Sequence, residues 1–434
     1  MSLIQEVDNW ISEKRDDILN TLSELIQIKT LNMPPGGYEK SGQEYLYNKL
    51  KKFLPEKDID VFYIDDVAGV RENPLFWPTI DGIKREYKDR PNIVARLSSN
   101  CSKRSILFSG HMDVVPVREK KWDVFEDPFS GEIKDGKMYG RGTADMKAGT
   151  LAGFLALECL KDLKVTLKGD VYAESVVDEE NGGVNGTIAA RLKYPDIDFA
   201  ILSEPSQMVV GIETRGGTDI KITIDEQGPG GIVFKERPVN PIIKMSKVVL
   251  AIEKYERIRN EKIVFPSYIK RDRYLPVHIF QFYSGGSSCQ ESGAIPVKAQ
   301  LYFWLETLAG MDNKVETDNL ISFIREELEQ YDDFKNNFPK FEQKIRFLKG
   351  HKTDLKHPGL NSIKKAYNDS GLQYEPGPLN FACDAFAFKE VSNTEVVVLG
   401  PRGGNMHGKD EWVEIEDFFN LIKIMVLTSI DFCS

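Results

Sequence analysis

At 434 residues, 41% hydrophobic and 29% charged, the chain has the composition of an ordinary soluble globular protein. Its length exceeds what one core usually fills, so two domains are expected. A net charge of −10 with no dense Lys/Arg run argues against a nucleic-acid binder, and no apolar run approaches a membrane span. Five scattered cysteines without a CxxC pair argue against a disulfide framework or a cysteine zinc site. With no charged-then-apolar signal segment, the expected compartment is the cytoplasm.

In chain order, apolar residues first recur at helical spacing from 4 to 28 (Val7, Trp10, Ile11, Ile18, Leu22, Leu25, Ile26), and a second helix is predicted over Ser41–Phe53. Strand-like runs follow at Val61–Tyr63, Asn92–Leu97 and Ser105–Ser109. Among them Gly69–Arg90, rich in proline and aromatics, reads as an irregular excursion. Asp145 precedes a long helix, Ala148–Leu160, and Gly169–Val177 and Phe199–Ser203 are further strands. Helices alternating with buried strands indicate an α/β sheet covered on both faces. From Gly211 the pattern changes: strand Thr218–Ile224, helix Asn240–Arg257, strands His278–Tyr283 and Ala299–Leu305, helix Thr317–Tyr331, strand Lys344–Leu348. That βαββαβ order is the split βαβ sandwich. The α/β pattern then resumes with helix Asn361–Ser370, strand Glu395–Leu399 and helix Ile415–Ile430. The expected architecture is a mixed-sheet α/β/α domain, residues 1–212 and 351–434, carrying a ferredoxin-like insertion, 213–350.

The chemistry concentrates at strand ends of the outer domain. In Phe108-Ser109-Gly110-His111-Met112-Asp113, an apolar run ends at a glycine, and His and Asp follow two residues apart. The His can give a ring nitrogen to a divalent cation, and Asp113 is placed to fix its tautomer and orientation. Asp145, after the glycine turn Gly140-Arg141-Gly142, can bridge two cations with its two oxygens. Asp178-Glu179-Glu180 closes a strand with three acids, which is costly to bury together unless cations neutralise them. Glu204 stands at another strand end and His407 on a loop near the C-terminus. Taken singly, an acid run is usually a solvated helix start, Glu204 a helix N-cap and His407 a surface histidine. Their joint placement at strand-to-loop junctions, where open α/β sheets hold ligands, favours a metal site. Acids and imidazoles without thiolates suit catalytic zinc, cobalt or manganese.

These motifs resemble the co-catalytic metallohydrolase superfamily of acetylornithine deacetylase, succinyl-diaminopimelate desuccinylase, aminoacylase and the glutamate carboxypeptidases. The likeness runs along nearly the whole chain and is close at SGHMDVVPV, DPFSGEIKDGKMYGRGTADMKAG and DEENGG. It implies two divalent cations, zinc first among the choices. His111 and Glu204 would hold one, Glu180 and His407 the other, with Asp145 bridging, Asp113 orienting His111 and Glu179 as general base. It also implies a cis peptide after Asp145, a lid or dimerisation role for the insertion, and a homodimer. The implied reaction is amide hydrolysis by a metal-activated water, most simply deacylation of an N-acyl amino-acid-like amine. A dipeptidase or carboxypeptidase is the alternative, and a non-catalytic metal-retaining binder a weaker one, since the base is kept. Partners are then an N-acylated amine or short peptide, with no nucleic acid or membrane.

Three departures from the family pattern bear on substrate. Gly228-Pro229-Gly230-Gly231-Ile232 has Ile232 where the family carries an oxyanion-stabilising His. Near Pro296, Gly293 replaces an Asn, and Glu306 falls where an Arg grips the substrate carboxylate. Asn380–Ala385 only loosely matches the family's substrate loop. The Glu306 exchange predicts rejection of a free α-carboxylate and acceptance of a neutral or cationic group, unless Glu306 pairs with a basic residue such as Lys298.

Overall fold

The computed structural model describes residues 2–99, 101, 103–119, 121–226, 239–266, 269, 272–285, 295–335 and 337–434. The chain forms two compact units: Met1–Glu213 with Lys352–Leu379 and Cys383–Ser434, and Thr214–His351 with Asn380–Ala382.

In the first unit an eight-stranded mixed sheet runs in the order Pro376–Pro378, Val210–Glu213, Glu395–Val398, Phe199–Leu202, Ile106–His111, Val171–Val176, Pro91–Leu97, Ile59–Tyr63. Its middle four strands are parallel to one another, and the 171–176 strand pairs antiparallel with Pro91–Leu97. Ile106–His111 has neighbours on both edges and helices on its faces, so every residue in it is buried. This is why it reads as an unbroken apolar run. Helix Ala148–Asp162 packs against it so tightly that a Cβ on Gly153 would lie 2.7 Å from the Phe108 Cβ. Glycine is required there by close approach.

The N-terminal periodic stretch is two helices, Leu3–Glu13 and Arg15–Gln27, parted at Lys14, whose N–H closes the first on Trp10 and Ser12 carbonyls. Helices Asn185–Lys193 and Ala385–Val391 are not expected from periodicity. The first starts at Val184 in the left-handed region after a Gly-Gly pair, and both are short and alanine-containing. No described helix is long and apolar enough to cross a membrane. Cys101, Cys159, Cys383 and Cys433 are free thiols, and Cys289 lies outside the described residues.

The second unit has the βαββαβ order. Its antiparallel sheet runs Val277–Ser284, Lys298–Thr307, Gly216–Asp225, Lys340–Gln343, with helices Pro241–Lys262 and Asn313–Leu328. Ile220, Ile222, Leu301 and Phe303 pack with Met245, Val248, Leu320 and Ile324 of the helices. The last strand precedes the expected Lys344–Leu348. That stretch is buried at Ile345, Phe347 and Leu348, and its apolar signal comes from burial without extended pairing, Leu348 making only an isolated bridge to Gly217.

Candidate metal centre

The parallel strands end on one rim of the sheet, and the residues just past them converge. His111 closes its strand, Glu179 and Glu180 follow Val171–Val176, and Glu204 follows Phe199–Leu202. Asp145 comes from the turn before Ala148–Asp162, and its peptide to Met146 is cis. His407 comes from the loop after Gly403–Gly404, in the left-handed region.

Nε2 of His111 is 3.2 Å from Oδ1 of Asp145, 3.7 Å from Oε1 of Glu204 and 3.9 Å from Oε2 of Glu179. Nε2 of His407 is 3.2 Å from the other Asp145 oxygen, Oδ2, and 2.8 Å from Oε2 of Glu180. Two triads, His111–Asp145–Glu180 and His111–Glu179–Glu204, each present ligand atoms within 4.8 Å of one another. The His407 side chain is 55% exposed while Glu204 and Glu180 are 6% and 3% exposed, so the group opens to solvent on the His407 side.

The electrostatics are those of a carboxylate cluster short of positive charge. Burial pushes Glu204 and Glu179 well above the usual carboxylate range; neighbouring acids add to this and His111 opposes it. Burial opposes a charged Asp145, yet His111 and His407 outweigh it and hold that carboxyl low. Glu180 chiefly raises His407 above the ordinary imidazole range. His111 Nε2 and Glu180 Oε1 are buried without a hydrogen-bond partner, a costly condition that a cation would relieve. The donor set of imidazole nitrogens and carboxylate oxygens fits zinc, cobalt or manganese.

Three sequence expectations change in detail. Nδ1 of His111 meets the main-chain carbonyl of Asp113 at 2.8 Å, whereas the Asp113 carboxylate lies 3.8 Å away. That carboxylate instead accepts from Asn32 Nδ2 at 2.8 Å and from the Glu180 N–H at 3.0 Å, so it positions the Glu180 turn. Asp178 does not join the other two acids: it sits at φ +68° and its carboxylate is held by Arg85 and Tyr87. Glu306 is 6% exposed and ion-paired with Arg215, so it is not a bare negative charge awaiting substrate. The partner is Arg215, because Lys298 sits exposed at the far end of the same strand. Gly228–Ile232 and Gly293 lie outside the described residues.

Sequence reasoning missed Glu411 and read Asp384 only as part of the loosely matching Asn380–Ala385 loop. Glu411, fully buried, accepts from the N–H groups of Gly142 and Ala144 at 3.0 Å and of Asp145 at 3.2 Å, and pairs with Arg141. Burial raises its pKa to about 7, against Arg141. Asp384, also buried and raised to about 6 by burial, accepts a bond from Thr187 of the unexpected helix Asn185–Lys193. No periodicity marks either acid, since each follows its loop.

Residues 107–430 match the model of peptidase family M20/M25/M40. A succinyl-diaminopimelate desuccinylase of Psychromonas ingrahamii is 26% identical over 354 residues, covering 79% of this chain and 86% of the relative. The fold is shared with the di-peptidase Dug1p of Saccharomyces cerevisiae: TM-score 0.79, 17% identity, 99% of this chain and 98% of that one. It is shared too with the YXEP protein of Bacillus subtilis, described as a dinuclear metal binding peptidase: TM-score 0.61, 14% identity, 97% and 99% coverage. With three quarters of its length matched, the chain belongs to peptidase family M20/M25/M40 and is a metal-dependent hydrolase.

Proposed function

We propose that the chain is a two-metal amidohydrolase that removes an acyl group from an amino-acid-like amine. The observation that carries this is Asp145, whose two oxygens stand 3.2 Å from His111 Nε2 and 3.2 Å from His407 Nε2, one oxygen toward each imidazole. In this reading His111 and Glu204 would hold one cation and Glu180 and His407 the other, with Asp145 shared between the two. Zinc is the first choice, with cobalt or manganese as alternatives. Bound cations would lower the pKa of a shared water toward about 7 and polarise the amide carbonyl.

The chain's own residues then divide the proton work. Glu179 is 13% exposed and ligates neither cation in this assignment, so its Oε2 is free to take a proton from water and return it to the departing amine. Asp113 holds the Glu180 N–H and Glu411 the Asp145 N–H, which keeps the ligand-bearing turns in register. Catalysis is assigned to 1–212 with 351–434, and pairing of two copies to 213–350. Edge strand Val277–Ser284 supports a homodimer, since it exposes Ile279, Phe280, Phe282 and Tyr283. Deacylation is preferred to dipeptide cleavage because the desuccinylase relative aligns with most of this chain, at higher identity than the structural neighbours.

The test is metal analysis after reloading, together with a panel of N-acyl amino acids, their amides and dipeptides. Two zinc equivalents in the wild type, one in His407→Ala, and turnover of an acyl substrate are expected. A maximum of one equivalent, unchanged in His407→Ala, ends the two-metal reading. Turnover of dipeptides alone replaces deacylase by peptidase.

A further inference from the structure

The turn that carries Glu179 and Glu180 is gripped from behind by a segment that contributes no ligand. Between strands Ile59–Tyr63 and Pro91–Leu97 the chain makes the proline- and aromatic-rich excursion, which includes the short hairpin Thr79–Ile80 and Ile83–Lys84. From it Arg85, 3% exposed, reaches Asp178 and Asn181 together. Its Nη1 donates to Asp178 Oδ1 at 2.8 Å, its Nη2 to the Asn181 carbonyl at 2.7 Å, and its Nε to the Thr79 carbonyl at 3.2 Å. Tyr87 OH donates to the second Asp178 oxygen at 2.8 Å, and Arg90 stands 3.6 Å from the first while bonding Glu39.

One guanidinium therefore spans the start and the middle of the turn, with Glu179 and Glu180 between its two anchor points. The turn is closed by Val184 N–H on the Asp178 carbonyl at 2.7 Å and by Gly182 N–H on that of Glu179 at 2.8 Å. It wraps the Asp178 carboxylate so closely that a Cβ on Gly183 would lie 2.0 Å from Asp178 Oδ2. Asp178 itself sits at φ +68°. A left-handed aspartate inside a closed turn, facing a planar fork, gives the fork control of where the next two side chains point.

Resting on the metal assignment proposed above, we infer that Arg85, assisted by Tyr87, is a positioning residue that aims Glu179 and Glu180 at the cations. The excursion is thus a clamp on the base and on one metal ligand. Lysine can keep the charge beside Asp178, but a single ammonium at the end of a flexible stem does not reproduce the two-point grip.

The test is zinc titration of chelator-stripped Arg85→Lys, with kcat and KM on the best acyl substrate of the panel. The equivalent that His407→Ala loses is expected to weaken about 10–100-fold and kcat to fall by a similar factor, while KM and the other equivalent change less than about threefold. Hydrogen exchange of amides 178–184 should accelerate relative to the rest of the chain. A merely structural Arg85 would lower Tm and weaken both equivalents alike, with no selective exchange, and that result overturns the proposal. So does a folded variant with wild-type zinc affinities, kcat and exchange. If Arg85→Lys does not fold, Tyr87→Phe keeps the guanidinium and is expected to show the same selective pattern at smaller size; wild-type behaviour there counts against the clamp. Failure of the whole acyl panel in the wild type overturns the deacylase reading alone, because zinc binding and exchange still judge Arg85.

Discussion

Buried charge is handled in two ways in this molecule. In the inserted unit it is matched: Arg215 pairs with Glu306, Lys244 with Glu226 at 2.6 Å, Arg259 with Glu316 at 2.9 Å. Behind the sheet rim of the other unit it is matched too, with Arg85 and Arg90 facing Asp178 and Glu39. At the rim itself it is not. Asp145, Glu179, Glu180 and Glu204 crowd two imidazoles, and buried polar atoms there lack partners. Matched pairs can serve folding alone. An unmatched acidic cluster is costly to bury and marks a candidate site for a ligand that supplies the missing charge.

The comparison breaks first if the rim acids are not working groups. Glu179→Gln should lower kcat by about 10²–10⁴ and leave zinc content unchanged, because the base binds no cation in the assignment. Activity comparable to wild type would move the base elsewhere. On the matched side, Glu306→Ala should destabilise by about 3–5 kcal/mol in denaturant unfolding, since Arg215 loses its counter-charge while still buried. The preference between an N-acyl amino acid and its amide should not move; a swing in that preference at unchanged stability would return Glu306 to substrate reading.

A smaller effect concerns the apolar edge. Phe280→Lys should weaken self-association by about 2 kcal/mol, roughly 30-fold, in light scattering or sedimentation. A wild type that is monomeric at micromolar concentration defeats the dimer. The smallest effect sharpens the comparison at its exception, Asp219, whose Oδ1 has no partner and whose pKa is raised to about 6 by burial against Lys344. The folded state keeps its proton up to about pH 6 and the unfolded state releases it near 3.8, so stability falls as pH rises between them. Asp219→Asn removes that loss. It should stabilise the protein above pH 6 by about 1–2 kcal/mol, allowing for partial exposure, and do little below pH 4. An equal gain at both pH values would rule out titration as the cause.

Much of the site is legible in the order of residues. His111, Glu179, Glu180 and Glu204 stand where an apolar run stops, because a parallel strand is buried along its length and its first polar residues lie at the rim, whereas Asp145 and His407 come from turns. The insertion is legible as a change of rhythm after Gly211, where long helices and alternating strands replace buried runs. The hidden parts come from loops. Glu411 supports Asp145 across 266 residues of chain, and Asp384 takes its bond from a helix 197 residues away. Glu411 shows no period, cap or spacing, and Asp384, at the N-cap position of Ala385–Val391, makes no capping bond and turns to Thr187 instead.

By itself, then, the amino-acid sequence determined the α/β class, the βαββαβ order and the candidates His111, Asp145, Glu179, Glu180, Glu204 and His407, which the fold brings together, since burial periodicity and strand-end chemistry are local properties. Only the tertiary structure decided that Asp178 is held by Arg85, that Asp113 grips the Glu180 turn, and that Glu306 is silenced by Arg215. The pairing of charges depends on which loops meet in space, and nothing in the local sequence records that meeting.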